Sequence, residues 1–290
     1  YGVKNRWLNG WGDCVPADLH CHTKMSDGSV GIDELVQLAK RSGLSAIAVT
    51  DHDTFSGALR AKSYGDRIGM EVLPGAEFSC MDPATGRKAH VLCYGNVRVH
   101  RLEGLCKKIG DNRRRSVSVS LQKVMRLYPI TMDMVVQRAH GSNNIFKQHI
   151  MHALIDAGYA DSFYGAVYEK LFRPRTGFAY CKTEYPDVHD VIAQIHDAGG
   201  IAVLAHPGIY DSYDLLEQLA RDHEIEGVEV WHTRNREGDA ERFMQIATQY
   251  HLIMTGGTDF HGMYSKVTHP LGTCTTPDDQ LTLLKKLRVE

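Results

Sequence analysis

Seven short apolar runs recur along the chain, each closed by glycine or polar punctuation. They are PADL at 16–19, LSAIAVT at 44–50, MEVLPGAEF at 70–78, KAHVLCYG at 88–95, GIAVLAHP at 200–207, GVEVWH at 227–232 and HLIMTGGTDFH at 251–261. Short apolar runs bounded by turn residues read as buried strands. Helical periods lie between them. In GIDELVQLAKRSG, Ile32, Leu35, Val36 and Ala39 share one face and Gly43 stands where a helix-terminating glycine belongs. VHDVIAQIHDAGG and EGDAERFMQIATQY continue the alternation, which predicts an α/β fold of parallel strands joined by crossover helices. The expected architecture is a closed or nearly closed barrel.

The strand rhythm stops between about 98 and 183. RLEGLCKKIGDNRRRSVSVSLQKVMRLY and NIFKQHIMHALIDAGY carry helical spacing instead. The expected organisation is therefore a barrel made of 14–97 and 184–290, interrupted by a helical insertion over 98–183 that caps the substrate; the alternative is a continuous α/β sheet with a long helical excursion. No internal repeat beyond this alternation and no low-complexity tract is visible.

Composition narrows the functional classes. With 290 residues, 43% of them hydrophobic, the chain can bury a large core. Its 33 Lys+Arg nearly balance 35 Asp+Glu, and a net charge of −2 gives no global attraction to nucleic acid or anionic membrane. No apolar run approaches the roughly 20 residues of a membrane span, and the opening YGVKNRWLNGWGDC has no apolar signal core. The expected location is cytoplasmic. Seven scattered cysteines, at 14, 21, 80, 93, 106, 181 and 274, contain no Cys-x-x-Cys pair, which argues against a disulfide framework and against a thiolate zinc site.

The 16 histidines are the compositional oddity, and the unusual ones gather where strands should end. His20 and His22 close the first run, with Asp27 just beyond. His52 follows IAVT, Glu77 closes VLPGAE, His90 lies in KAHVL, His206 ends AVLAH, and Asp259 and His261 end MTGGTDFH. In a βα barrel the C-terminal strand ends converge on one face, so these residues meet at a single site. Imidazole and carboxylate donors suit zinc, manganese or iron, and two or three such ions need about nine donors. The chain supplies them.

The ordered motif set resembles the PHP (polymerase and histidinol phosphatase) family, a metal-dependent group related to amidohydrolases. It comprises His20-x-His22, Ser26-Asp27-Gly28, Thr50-Asp51-His52-Asp53, Gly75-x-Glu77-Phe78, Ala205-His206-Pro207 and Asp259-x-His261. The resemblance implies a distorted (β/α)7 barrel. It also implies one ion on His20, His22, Glu77 and Asp259, a second on Glu77, His90 and His206, and a third on Asp27, His52 and His261. Glu77 is the expected bridge, and Glu77 and Asp259 the expected catalytic carboxylates.

The related phosphatases carry Arg-Pro-His in the insertion, where this chain reads Lys147-Gln148-His149. A lysine supplies a point charge rather than a planar fork. Lys147, His149 and Arg175 are the phosphate-binding candidates, with Asn143 or Asn144 expected to cap the turn before them. His232, ending GVEVWH, is a candidate general acid or a group supporting a ligand. The run Arg113-Arg114-Arg115 reads as a solvated helix face rather than a nucleic-acid surface, because no aromatic residues interleave with it. The implied activity is metal-dependent hydrolysis of a small organic phosphate, either a nucleotide or sugar phosphate monoester or a small cyclic phosphodiester. The alternatives are a non-catalytic metal-binding module and a nuclease acting on short oligonucleotides.

Overall fold

The computed structural model describes residues 16–287; the opening segment, Cys14 and the expected barrel start at 14 lie outside them. All seven predicted strands form: β1 (Ala17–Cys21), β2 (Ala46–Val49), β3 (Glu71–Met81), β4 (Lys88–Tyr94), β5 (Ile201–Leu204), β6 (Gly227–His232) and β7 (Ile253–Gly257). They make one sheet in chain order. Beyond β7, Phe260 pairs with β1 through His22 N–H to Phe260 O at 2.9 Å and Phe260 N–H to His20 O at 3.2 Å, which nearly closes the barrel. Gly257 permits this approach, since a Cβ there would stand 2.3 Å from His20 Cβ.

The outer helices follow the predicted phases. α1 (Ile32–Arg41) buries Ile32, Leu35, Val36 and Ala39, and α2 (Ser56–Ile68) closes the next crossover. The expectation of parallel strands needs one correction. β4 runs antiparallel to both β3 and β5, with Ser79 opposite His90 and Val91 opposite Leu204. A short turn joins β3 to β4, and such a connection reverses a strand where a crossover helix would have kept it parallel. His90 therefore reaches the site from the N-terminal half of its strand, not from a C-terminal end.

Between β4 and β5 come α3 (Glu103–Leu127), α4 (Met132–Arg138), α5 (Lys147–Asp156), α6 (Ala166–Phe172) and then α7 (Val188–Asp197). α3 belongs to two cores. Leu105 and Ile109 pack into the barrel's outer layer, whereas Leu121 and Val124 join a separate cluster with Val135, Ile150, Leu154 and Phe172. α8 (Tyr213–Arg221), α9 (Asp239–Tyr250) and α10 (Asp278–Leu287) complete the wall. Among the described residues no helix is long and apolar enough to cross a membrane.

Candidate metal centre

The barrel mouth brings the nine predicted donors together, five of them imidazoles on the carboxylate of Glu77. Its carboxylate lies 3.4 Å from His20 Nε2, 3.2 Å from His22 Nε2, 3.2 Å from His52 Nδ1, 2.7 Å from His90 Nδ1 and 2.8 Å from His206 Nε2. Asp259 Oδ1 stands 3.5 Å from His20 Nε2 and 3.3 Å from His22 Nε2. On the other side of His22, Asp27 Oδ1 is 3.2 Å from His261 Nε2, and Asp27 Oδ2 is 3.9 Å from His52 Nε2. Three donor groups emerge: His20, His22, Glu77 and Asp259; His22, Asp27, His52 and His261; and His52, Glu77 and His90. His22 and His52 thus each stand in two groups, and His206 touches the cluster through Glu77.

Backbone geometry aims these side chains. Asp53, His206 and Asp259 follow β2, β5 and β7 with φ of 57°, 29° and 53°. Left-handed non-glycine residues cost about 1–3 kcal/mol each and persist where the surroundings over-determine them.

The donor set fits divalent ions. His20 Nε2, His22 Nε2, His52 Nδ1, His206 Nδ1 and Glu77 Oε2 are buried without a hydrogen-bond partner, and each such atom costs about 1–3 kcal/mol if nothing engages it. Ligands about 2.1 Å from a shared ion stand roughly 3.0–3.4 Å apart at octahedral or tetrahedral angles, close to the spacings around His20, His22 and Glu77. The electrostatics agree. Burial lowers the His22 pKa, yet Asp259 and Glu77 outweigh it and raise it to about 10, so the pocket favours positive charge. Burial pushes Glu77 up, but His90, His52 and His20 hold it well below the usual carboxylate range. Burial also keeps His52 and His90 below the ordinary imidazole value, in the neutral form that offers a lone pair. His/Asp/Glu clusters able to hold metal ions are thus built into the barrel mouth.

The PHP domain family profile matches residues 18–255. The chain belongs to the PHP domain family. It is 34% identical over 254 residues to the phosphoribosyl 1,2-cyclic phosphate 1,2-diphosphodiesterase of Eggerthella lenta, covering 87% of this chain and 96% of the relative. It is 28% identical to the 5'-3' exoribonuclease Rnm of Escherichia coli K12, covering 84% of each. A Bifidobacterium adolescentis structure assigned as a metal-dependent phosphoesterase superposes with a TM-score of 0.86 at 30% identity, over 94% of this chain and 96% of that one. The chain is accordingly a hydrolase of small phosphate esters.

Around the PHP donor set the remaining predicted residues separate. His149 Nδ1 accepts the Phe146 N–H at 3.1 Å, so the neutral ring carries its proton on Nε2. Burial pushes its pKa down to about 4. Phe146, not Asn143 or Asn144, occupies the N-cap position of α5 and makes no side-chain capping bond; Asn143 is spent instead on Thr54 Oγ1 and Met25 O. Lys147, half-buried at the first turn of α5, lies 5.6 Å from the Phe172 ring centre and 5.7 Å from that of Tyr180. Burial, then Lys88 and Arg113, push its pKa down to about 8. Arg175 sits exposed in the turn after α6 with φ of 68°, and none of the contacts among the described residues ties it to the cluster. His232 Nε2 is 3.4 Å from Asp259 Oδ2, and its Nδ1 accepts the Arg234 N–H at 3.1 Å.

Sequence reasoning passed over several supporting residues. Glu229 is fully buried at β6 and contacts His20 Nδ1 and the His206 N–H; a carboxylate inside GVEVWH was the available signal. Asp51 accepts from Thr23 N–H, Thr23 Oγ1–H and Ser26 Oγ–H at 2.7 Å each, pinning the loop that carries Asp27. Gln148 donates to Asp27 Oδ2 at 3.1 Å. Tyr210 packs its ring 5.1 Å from His90 and 5.7 Å from His206. The solvated reading of the arginine run is corrected at its first member: Arg113 is half-buried and ion-paired to Asp53, while Arg114 and Arg115 are exposed.

Proposed function

We propose that this enzyme uses two or three divalent ions, manganese, zinc or iron, to hydrolyse a small sugar or nucleotide phosphate, with a small cyclic phosphodiester as the preferred class. The observation that carries this reading is the convergence of five imidazoles on the single carboxylate of Glu77. In the proposed division, His20, His22, Glu77 and Asp259 hold one ion, Glu77, His90 and His206 a second, and Asp27, His52 and His261 a third. When bound, such ions supply Lewis acidity to phosphoryl oxygens and lower the pKa of an attacking water.

The chain's own side chains do the rest. Residues 98–183 form a cap, from which the Lys147 ammonium and the His149 Nε2–H meet the substrate's phosphoryl oxygens. Arg175 is proposed as a third phosphate contact, reached from its exposed turn. His232 acts through Asp259, presenting its Nε2–H to Oδ2 and fixing the carboxylate's orientation. The ester P–O bond breaks as the water oxygen bonds to phosphorus, and the departing oxygen takes up the proton that the water gives up. The preference for a cyclic diester rests on the likeness to the Eggerthella lenta enzyme.

A second reading, removal of nucleotides from short RNA 5' ends, is favoured by the likeness to Rnm. The six cysteines among the described residues are free thiols, which suits a reducing cytoplasmic setting. The test is a panel of pentose cyclic phosphates, phosphate monoesters and 5'-phosphorylated oligoribonucleotides assayed with added manganese. A kcat/KM highest on the cyclic esters supports the proposal; highest values on the oligonucleotides overturn it in favour of the nuclease.

A further inference from the structure

The geometry points to Arg113 as a positioning residue that fixes the substrate-contacting turn of α5 against the metal centre. Its Nη2 donates to Asp53 Oδ2 at 2.6 Å and to Ser79 Oγ at 3.0 Å. On its other side, the guanidinium carbon lies 4.5 Å from the Phe146 ring centre and 5.7 Å from that of Tyr185. The side chain is 11% exposed and its Asp53 partner 2%, so the ion pair is sheltered from water and from salt.

Each contact leads to a different half of the site. Asp53 follows His52 directly, sends its N–H to Glu77 O at 2.9 Å and accepts the Ser79 N–H at 2.8 Å, which locks the ends of β2 and β3 together. Phe146 precedes Lys147, donates its N–H to His149 and packs its ring 5.9 Å from His149 and 6.1 Å from His52. One α3 side chain therefore touches the carboxylate beside a metal donor and the aromatic ring at the base of the Lys147–His149 turn. A planar cation meets both requirements, because its edge donates to the carboxylate while its face lies on the ring. A lysine ammonium offers no such face.

The role rests on the reading of Lys147 and His149 as phosphate contacts, and the test separates the two. It is a double-mutant cycle between Arg113→Lys and Lys147→Ala on the manganese-loaded full chain. The readouts are calorimetric affinity for inorganic phosphate, kcat/KM on p-nitrophenyl phosphate, metal content and Tm. If Arg113 acts through the α5 turn, each single substitution weakens phosphate binding by about fivefold or more, and the double variant is within about twofold of Lys147→Ala alone. Metal content stays at the wild-type value. Losses that multiply in the double variant, loss of metal in Arg113→Lys, or phosphate binding unmoved by either substitution each overturn the role. If Arg113→Lys fails to fold, Phe146→Leu, which keeps the ion pair and removes the ring, runs the same cycle with the same expected coupling. Coupled phosphate binding without turnover of any ester would strike the hydrolase reading and leave the positioning role standing.

Discussion

Glu229 Oε1 lies 2.9 Å from His20 Nδ1, while the other oxygen of the same carboxylate accepts the His206 N–H at 2.8 Å. One buried group on β6 thus orients a donor at the end of β1 and the backbone of another after β5. Holding the proton on His20 Nδ1 leaves the Nε2 lone pair facing Glu77 and Asp259. Glu229→Gln keeps the shape but weakens that hold, and metal affinity is expected to fall about 10–100-fold. Titration against a competing chelator checks this; unchanged affinity would remove Glu229 from the account.

His20→Asn and Asp259→Asn are expected to abolish turnover while the protein stays folded. Both side chains face the barrel mouth, so their loss removes a donor more than it removes packing. Circular dichroism and metal analysis accompany the assay. Near-normal kcat at full metal occupancy in either variant contradicts the donor assignment.

The pH profile should carry the signature of Lys147. With its pKa lowered to about 8, the ammonium is charged below that pH and neutral above it, so kcat/KM should fall as pH rises through about 8. A phosphate monoester has its second pKa near about 6 and stays dianionic across that range, so the falling limb reports the free enzyme. Lys147→Arg should move the limb upward out of the range. Lys147→Ala should flatten it and lower kcat/KM by about one to three orders of magnitude through loss of a charge-assisted contact.

Removing the metals should destabilise the fold, because the ions bind donors that exist together only in the native state. At free metal about 100 times Kd the linkage is worth about 2.7 kcal/mol. Differential scanning of EDTA-dialysed protein before and after manganese addition measures it. A Tm indifferent to metal would mean that the donor cluster holds no ion.

Much of this donor cluster is legible in the sequence, for physical reasons. Strand-end residues such as His20, His52 and Asp259 advertise themselves because imidazoles and carboxylates interrupt apolar runs at the point where a barrel strand empties onto its face. The reversal of β4 was hidden, since KAHVLCYG has the same apolar character in either direction and only the short turn after Met81 decides it. Arg113 carried a signal in its phase: it lies four residues after Ile109 and eight after Leu105, both buried, which places it on the inward stripe of α3. The neighbouring Arg114 and Arg115 masked that phase. The start of α5 after Phe146 had no sequence signal, because it depends on a His149 side chain returning to the backbone three residues earlier.

The reversed β4 leaves the chain at the end of the barrel opposite the metal centre, where Tyr94 pairs with Ile201 at the start of β5. α3 begins near that end and climbs past Asp53 before joining the second core. At about 1.5 Å and 100° per residue, the register of this climb sets which α3 side chain meets Asp53, and it is Arg113. A residue added or removed between Ile109 and Arg113 would turn the guanidinium by about 100°, away from Asp53 and from the Phe146 ring. Helix register thus decides whether the insertion is tied to the β2 end at all, without altering a single donor.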